Sequence, residues 1–297
     1  LNFEVQNYNL HLLPGTEMYE EEYRKKYFKK TGWRLHDNCY GVYEGEKILE
    51  LQETVLETHT LSVEDFRYFR FFNFLSQMMW SKKWYYNYLK FMKSNNIHPV
   101  EIFDKIIDKC KKDNGEMGNL FSEFMKEYDT AESFETAEEL KNYWEKDSNF
   151  SRLENQDYGK LNMLYMYKTV LENRHAFNKL LLDISKEYST NLGLDSNYFV
   201  DACEEVLKFQ NSKFIQIDDK WKIKEQLMET FKYDVLEWTK SGYGHLKKLE
   251  NQKKYKFHLS EEQKKTLNTQ LKQYKNKNIN FALKKMTIYT DARQFFY

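Results

Sequence analysis

The sequence of 297 residues contains few residues that interrupt helices, with only 2 prolines and 10 glycines. Both fall below average usage, which is about 5% for proline and about 7% for glycine. Hydrophobic residues make up 41% of the chain and charged residues 31%, a balance that excludes an intrinsically disordered protein. We therefore expect a mainly α fold with a sizeable buried core.

Cysteines are also scarce: Cys39, Cys110 and Cys203 lie far apart and are odd in number. This pattern excludes a disulfide framework and predicts a reducing, cytoplasmic location. No apolar run approaches the length of about 20 residues that spans a bilayer, so we expect no membrane partner. The chain begins with Leu1 and with strand-like residues, so we recognise no signal peptide and expect that an N-terminal part has been removed.

The sequence has no net charge, with 46 basic and 46 acidic residues. A balanced chain does not attract nucleic acid through a global field, so we expect no nucleic-acid partner. The charges are nevertheless segregated, with 12 acidic and 4 basic residues in 116–157 and 3 acidic and 12 basic residues in 246–285. Solvated helix faces are the simplest interpretation, and binding of nucleic acid or acidic lipid by the basic segment is the alternative.

Three segments are predicted along the chain. Residues 3–13 are rich in strand formers, Pro14-Gly15 ends the strand, and Thr16 is placed to cap a helix over 17–30 that closes at Gly32. Residues 33–60 are predicted to form either a β-hairpin with its turn at Glu44-Gly45 or an ordered loop of the kind that caps an active site. Residues 61–297 form a helical domain with a possible soft boundary near 114–118. The expected fold is thus a single barrel-type strand and a small hairpin followed by a multi-helix domain.

Helix signals fill the third segment. Pro99 begins a helix that reaches Lys112, and Ser260 with Gln263 forms a capping box. The other predicted helices cover 62–95 with room for one break, 117–128, 134–147 with a start near Thr136, 153–189, 197–210, 224–240, 261–275 and 279–286. Residues 213–217 and 221–223 could form two short strands.

The run from Tyr8 to Met18, YNLHLLPGTEM, resembles the final strand and Pro-Gly-Thr turn of a radical-SAM domain of the type that carries an N-terminal cobalamin-binding domain. The resemblance implies a partial (β/α) barrel in the parent protein, which holds an iron–sulfur cluster and S-adenosylmethionine, with cobalamin as a further cofactor. It also implies that Leu13, Pro14, Gly15 and Thr16 line the adenine side of the cofactor pocket. The alternative is that Pro-Gly-Thr only turns the chain from a strand into a helix.

In that family a Cys-x3-Cys-x2-Cys loop binds the cluster, and this sequence contains no such spacing. The segment alone is therefore expected to bind no cofactor and to be inactive, and we assign it no catalytic residue. HExxH, CxxC and GxSxG motifs are missing as well, and the seven histidines show no ligand spacing, so no metal site is predicted from the sequence.

A second candidate site is the run from His36 to Tyr40, which combines an imidazole, a carboxylate, a thiol and a phenol. His36, Asp37, Cys39 and Tyr40 could form a cap over the barrel mouth and contact substrate, with Cys39 or Tyr40 giving a hydrogen atom. The structural alternative is ordinary turn chemistry followed by hairpin core.

A third candidate is a polar stripe at helical spacing, formed by Arg70, Asn73 and Gln77 on an otherwise apolar helix. Such a stripe could face a cavity and orient a polar substrate, or it could be the one solvated face of the helix.

Together these observations predict the C-terminal portion of a radical-SAM enzyme, which closes the barrel and contributes to substrate selection. Its partners would be the upstream barrel of the same polypeptide and a small-molecule substrate. On this hypothesis residues 4–13 form an unpaired edge strand, with Pro14–Thr16 beside Cys39 and Arg70. The competing hypothesis is a non-catalytic helical module for protein interaction.

Overall fold

The computed structural model describes residues 8–131, 133–154, 161–214, 220, 222–274 and 282. Within these ranges the chain is mainly α, as predicted, with two small antiparallel sheets. The strands are β1 His11–Leu12, β2 Phe28–Tyr43, β3 Glu46–Thr58, β4 Gln226–Tyr233 and β5 Lys248–His258. The helices are α1 Glu21–Tyr27, α2 Val63–Leu75, α3 Tyr86–Ser94, α4 Pro99–Lys112, α5 Glu116–Ala131, α6 Ala137–Glu145, α7 Asp147–Glu154, α8 Leu161–Tyr167, α9 Arg174–Asn191, α10 Ser196–Asn211, α11 Val235–Lys240 and α12 Glu261–Gln273. A short 3-10 helix covers Glu17–Tyr19, and π-helices cover Ser76–Ser81 and Lys168–Glu172.

The described residues divide into two compact units. The hairpin unit contains the described residues of 6–74 and 118–165, and the helical unit contains 75–117 and the described residues from 166 onward. One crossing between the units lies at 117/118, at the end of the segment where the sequence suggested a soft boundary. The described part of the chain contains no helix with both the length and the apolar character of a membrane span.

The hairpin unit is organised by one three-stranded sheet, in the order β1-β3-β2. β2 and β3 form the predicted hairpin, and Tyr43 pairs with Glu46 across a two-residue turn. Both turn residues have positive φ, 52° at Glu44 and 88° at Gly45, as a type I′ turn requires. One face of the sheet packs against α5, α6 and α7, and the shared core consists of Leu35 from β2 with Ala131, Leu140, Trp144, Phe150 and Leu153 from the helices.

The helical unit has a core with a buried polar centre. Tyr88 on α3, Ser185 on α9 and Cys203 on α10 are each 0% exposed. The Ser185 hydroxyl lies 3.2 Å from both the Tyr88 hydroxyl and the Cys203 thiol. Tyr88 also donates to the Leu181 carbonyl at 3.1 Å. Each of these buried polar groups therefore has a hydrogen-bond partner, which makes the cluster a packing element of the core.

The helix boundaries that rest on local capping chemistry are confirmed. α4 runs from Pro99 to Lys112, as predicted, with His98 and Glu101 completing a capping box. Ser260 and Gln263 form the predicted capping box of α12, and Thr136 caps α6 by accepting from the Glu139 amide.

The predicted helix over 17–30 is wrong in its last three residues. The chain is helical at Glu17–Tyr19 and Glu21–Tyr27, and β2 begins at Phe28. Lys30 pairs with Glu57 and Thr31 with Val55. Pairing with the long β3 thus overrides the local preference of the lysine run for a helix C-terminus.

The predicted helix over 224–240 is wrong except at its end, which is α11. Gln226–Tyr233 is β4 and pairs with β5, a strand that the sequence did not indicate. Phe231 and Tyr233 are fully buried two residues apart, which is the periodicity of a strand. The predicted 153–189 helix is divided among α7, α8, a π-helix and α9. Of the predicted strands at 213–217 and 221–223, residues 215–217 and 221 lie outside the described residues, residues 213–214 are not in a strand, and residue 223 forms only a single bridge. The start of the strand at 3–13 and nearly all of the 279–286 helix also lie outside the described residues.

Close packing at Gly32 gives a first testable prediction. A Cβ added there would lie 2.6 Å from Leu56 Cδ1 and 3.4 Å from the Phe134 carbonyl oxygen. Leu56 is 4% exposed, so it has little room to move, and we expect Gly32→Ala to lower the free energy of unfolding by about 1–3 kcal/mol. Urea unfolding followed by circular dichroism measures the change.

Gly41→Ala is the matched control in the same strand, because its Cβ would make an ordinary contact of 3.5 Å with Tyr43. Equal unfolding midpoints for the two variants would contradict the prediction.

Candidate functional site on the β2–β3 hairpin

A large irregularity in β2 builds the candidate site. From the turn to the pair Tyr40↔Leu49 the two strands stay in strict register, and the next pair is Leu35↔Leu51. Residues 36–39 on β2 therefore stand opposite Glu50 alone on β3. A bulge of this kind leaves residues outside the ladder and redirects their side chains, and such bulges are frequent beside functional sites.

The bulge brings three different donor groups together. His36 Nδ1 lies 2.7 Å from Cys39 Sγ, and Glu50 offers a carboxylate from the partner strand. One donor atom from each residue lies within 4.8 Å of the other two. His36 and Cys39 are half-buried and Glu50 is exposed, so the group is accessible from solvent. We call His36, Cys39 and Glu50 the bulge triad.

The bulge triad belongs to the sheet face that points away from the core. Leu49 and Leu51 pack on the core of the hairpin unit, and Glu50 between them projects from the opposite face, as the alternation of a strand requires. Ile48 shares this outer face with Glu50 and is 47% exposed. The outer face therefore combines polar donors with an exposed apolar side chain.

Tyr40, predicted to contact substrate, lies on the core face instead. Its hydroxyl donates to the Leu153 carbonyl at 3.0 Å, and its ring packs edge-on against Phe150 at 6.4 Å. Burial raises the pKa of Tyr40. These contacts give Tyr40 a packing role, and they separate it from His36 and Cys39. The Asp37 side chain lies outside the described residues.

The Pro-Gly-Thr segment forms a tight turn. The Thr16 amide donates to the Leu13 carbonyl at 3.2 Å, and the Thr16 hydroxyl donates to the same carbonyl at 2.8 Å. Pro14 and Gly15 occupy the central positions, and Gly15 has a φ of 83°. This is a type II turn, in which proline presets the first central residue and glycine supplies the positive φ of the second.

The sequence analysis predicted that the Pro-Gly-Thr turn lies beside Cys39. In the structure the turn lies away from the bulge triad. Leu12 pairs with Glu53, three residues along β3 from Glu50, which corresponds to about 10 Å along the strand. In addition, β1 and β2 lie on opposite edges of β3. β1 itself is paired with β3 on one edge, so it is an edge strand and not an unpaired one.

The residues of the predicted polar stripe, Arg70, Asn73 and Gln77, differ in their surroundings. Arg70 is 8% exposed, and its guanidinium donates to the Asn162 side chain and lies over the rings of Phe124 and Tyr128, at 5.1 and 5.8 Å from their centroids. α2 ends at Leu75, and Gln77 lies in the π-helix that follows. Asn73 is half-buried. Arg70 is therefore part of the packing of the hairpin unit.

A buried ion pair on β3 was not recognised in the sequence. Glu53 is 4% exposed, and it accepts from the Arg24 guanidinium at 2.5 and 2.9 Å and from the Thr31 hydroxyl at 2.6 Å. Burial alone would raise the pKa of Glu53, but hydrogen bonds from Arg24 and Thr31 and the Arg24 charge hold this pKa below its usual value. The signal in the sequence was weak, because alternation in β3 predicts which residues share a face but not which charge is buried.

The other two cysteines do not extend the site. Cys110 is 2% exposed and Cys203 is 0% exposed, and burial raises the pKa of each thiol to about 12. Both belong to helices of the helical unit. All three cysteines are described, and none forms a disulfide.

Glu50 is the functional candidate that inspection along the sequence missed. A signal for it exists: the Glu44-Gly45 turn sets the register, and strict pairing from that turn places Cys39 opposite Glu50. The slip in β2 that brings His36 close to Cys39 and Glu50 has no comparable signal in the local sequence.

Neither a scan against models of known protein families nor a search of curated proteins finds a match for this chain.

Proposed function

We propose that this chain is the C-terminal region of a cobalamin-type radical-SAM enzyme, where it closes the barrel and helps to select a small-molecule substrate. The proposal rests on the resemblance of the segment Tyr8–Met18, and one observation supports it further. The edge of the hairpin unit at β1 exposes apolar side chains that need a covering neighbour.

The exposed edge is formed by β1 and its flanking residues. Leu10 is 43% exposed and Leu13 is 56% exposed, and in the described residues β1 is hydrogen-bonded to β3 on one side. Edge strands that carry apolar residues are normally covered, because they otherwise promote aggregation. We assign the upstream barrel of the same polypeptide as the covering partner.

The residues of this chain do not fit an iron–sulfur cluster. A cluster requires several accessible thiolates at one place, whereas Cys110 and Cys203 are buried in the helical unit and Cys39 lies in the hairpin unit. We therefore derive no step through the cluster here. We also assign no residue of this chain to cobalamin.

The residues of the turn Leu13–Thr16, by contrast, are compatible with a place beside S-adenosylmethionine. Its backbone is fixed by the two hydrogen bonds to the Leu13 carbonyl, the Leu13 side chain is exposed, and an added Cβ at Gly15 would meet no atom within 4 Å. An apolar side chain beside open space can pack against the flat face of an adenine ring. When bound in such enzymes, S-adenosylmethionine supplies the radical that starts the reaction; this turn would only hold and orient its adenine end.

The first test is the upstream coding sequence. We expect a Cys-x3-Cys-x2-Cys loop there, after the first strand of a (β/α) barrel. An upstream sequence without that loop would rule out the radical-SAM assignment and leave the helical interaction module as the remaining hypothesis.

The second test uses the full-length polypeptide with its cluster assembled. We expect Gly15→Val to raise the Kd for S-adenosylmethionine by about tenfold or more, which corresponds to about 1.4 kcal/mol, because the added side chain fills the open space at the turn. Gly45→Val is the matched control, since Gly45 has a similar φ of 88° and equally open surroundings but lies at the hairpin turn. Equal Kd values for both variants would remove the turn from the cofactor site.

A further inference from the structure

We infer that the bulge triad is a binding site for a divalent transition-metal ion of the zinc class, with His36, Cys39 and Glu50 as its three protein ligands. This site is independent of the proposed function, since it needs no residue outside the hairpin. The sequence analysis predicted no metal site, since it looked for ligands at regular spacing along the chain. Here one ligand, Glu50, comes from the neighbouring strand β3.

The donor set matches the chemistry of zinc. Zinc binds imidazole nitrogen, thiolate sulfur and carboxylate oxygen in tetrahedral geometry. Metal–ligand bonds of about 2.0–2.3 Å in that geometry place neighbouring donor atoms roughly 3.5 Å apart. The three donor atoms of the bulge triad already lie within 4.8 Å of one another. Binding requires a small separation of His36 Nδ1 from Cys39 Sγ, which now lie 2.7 Å apart, and a small approach of the Glu50 carboxylate.

The backbone holds the ligands in place on two strands. Leu35 and Tyr40 flank the bulge. Leu35 belongs to the core of the hairpin unit and Tyr40 packs against that core, so the two residues anchor the two ends of the bulge. Glu50 is fixed between two residues of β3 whose side chains pack on the same core. Ligands anchored on strands therefore need only these small side-chain movements to bind, and such sites are more precise than sites on loops.

The charge and the open position define the kind of site. One thiolate and one carboxylate neutralise a divalent cation, and the neutral imidazole completes three protein ligands. Three ligands leave the fourth tetrahedral position to water or to a small molecule, as in zinc sites that act on substrates. The exposed Ile48 on the same sheet face offers an apolar contact beside that position.

The experiment uses the purified chain after removal of metal, titrated with Co²⁺ and then with Zn²⁺. We expect one Co²⁺ per chain with a sulfur-to-cobalt charge-transfer absorption and the visible bands of a tetrahedral ion, and we expect Zn²⁺ to displace it. Cys39→Ser should abolish the charge-transfer band. His36→Gln and Glu50→Gln should each raise the Kd for Zn²⁺ by at least about 100-fold, since loss of an outer partner alone costs 10–100-fold.

Matched controls come from β3 and the residue that follows it. His59→Gln and Glu46→Gln remove an exposed imidazole and an exposed carboxylate away from the bulge, and neither should change the Kd for Zn²⁺. Glu50 is exposed, so Glu50→Gln keeps the fold intact, and circular dichroism verifies this. A titration that shows no binding, a charge-transfer band that persists in Cys39→Ser, or a loss of affinity in the control variants would overturn the site.

A second readout follows the thiol directly. Zn²⁺ should slow alkylation of Cys39 by iodoacetamide at least about tenfold, measured on the Cys39 peptide by mass spectrometry, because a metal-bound sulfur is a weaker nucleophile than a free thiolate. Mg²⁺, which prefers oxygen ligands, should leave the rate unchanged. Equal protection by both ions, or protection by neither, would exclude Cys39 as a ligand.

Discussion

Replacing Arg24 by methionine is expected to destabilise the sheet of the hairpin unit by about 3 kcal/mol at neutral pH, the lower end of the range for breaking a buried ion pair. The Glu53 carboxylate is 4% exposed and Arg24 is 29% exposed. Removing the guanidinium leaves Glu53 with a single partner, the Thr31 hydroxyl. An intact buried ion pair adds little net free energy to stability, whereas a buried charge that has lost its partner is strongly destabilising. The expected loss therefore comes mainly from the Glu53 charge that is left without Arg24.

The pH dependence of this variant follows from the pKa of Glu53. In the native protein this pKa is lowered, so the contribution of Glu53 to stability is present above the unfolded pKa of about 4.3 and is lost as the pH falls through the folded pKa. In Arg24→Met, burial raises the pKa of Glu53, so the penalty is present above the unfolded pKa and disappears in acid. The difference between the two proteins should therefore be largest near pH 7 and shrink below about pH 4.

Hydrogen exchange of the β3 amides measures this effect locally. We expect exchange to accelerate by about 100-fold in Arg24→Met, since each tenfold corresponds to about 1.4 kcal/mol. Lys25→Met is the matched control, because the ion pair between Lys25 and Glu21 on the same helix is 74% and 81% exposed and contributes little. Adding Glu53→Gln to Arg24→Met should restore part of the protection. A difference that does not change with pH would refute the assignment to Glu53.

Arg70→Ala is expected to lower the free energy of unfolding of the hairpin unit by about 1–3 kcal/mol, the range for leaving a buried polar group without its partner. The substitution removes the donor to Asn162 and the cation that lies over Phe124 and Tyr128. It also leaves a cavity, because the Arg70 side chain is almost fully buried. Arg70→Lys should show an intermediate loss, since lysine keeps the charge but lacks the planar fork and stacks less well on rings.

Arg67 provides the control for Arg70 on the same helix. It forms an ion pair with Asp129 in which the two side chains are 38% and 39% exposed, so Arg67→Met should change the unfolding midpoint in urea only slightly. If Arg70→Ala were as stable as Arg67→Met, Arg70 would be available for substrate contact, as the sequence first suggested. The structure instead gives Arg70 a role in packing, because its guanidinium is buried, donates to Asn162 and lies over the rings of Phe124 and Tyr128.

Part of this fold could be predicted from the sequence because the determining interactions are local. Pro99 and the residues around it fix the start of α4, and Ser260 with Gln263 fixes the start of α12. Glu44-Gly45 specifies the hairpin turn, and Pro14-Gly15 specifies the turn after β1. In each case a few neighbouring residues satisfy backbone groups or supply a positive φ, and no distant contact is needed.

The strands with the weakest local signals could not be predicted in this way. β4 covers a segment whose residues also suit a helix, and its conformation follows from pairing with β5 and from burial of Phe231 and Tyr233. Likewise, the lysine run around Lys30 suits a helix end, but it is paired with β3. Strand propensity depends on partners that are distant in sequence, so tertiary contacts override the local preference.

The sequence by itself determined a mainly α chain, a hairpin with a defined turn, and a concentration of reactive side chains between His36 and Tyr40. Only the tertiary structure decided which of these side chains meet. Strict pairing from the turn places Cys39 opposite Glu50 and Tyr40 against the core, and a slip in the pairing of β2 adds His36 to Cys39 and Glu50. Close packing buries Glu53 and Arg70. Register and burial are set by the packing of whole strands and helices against one another, and short motifs carry little information about either.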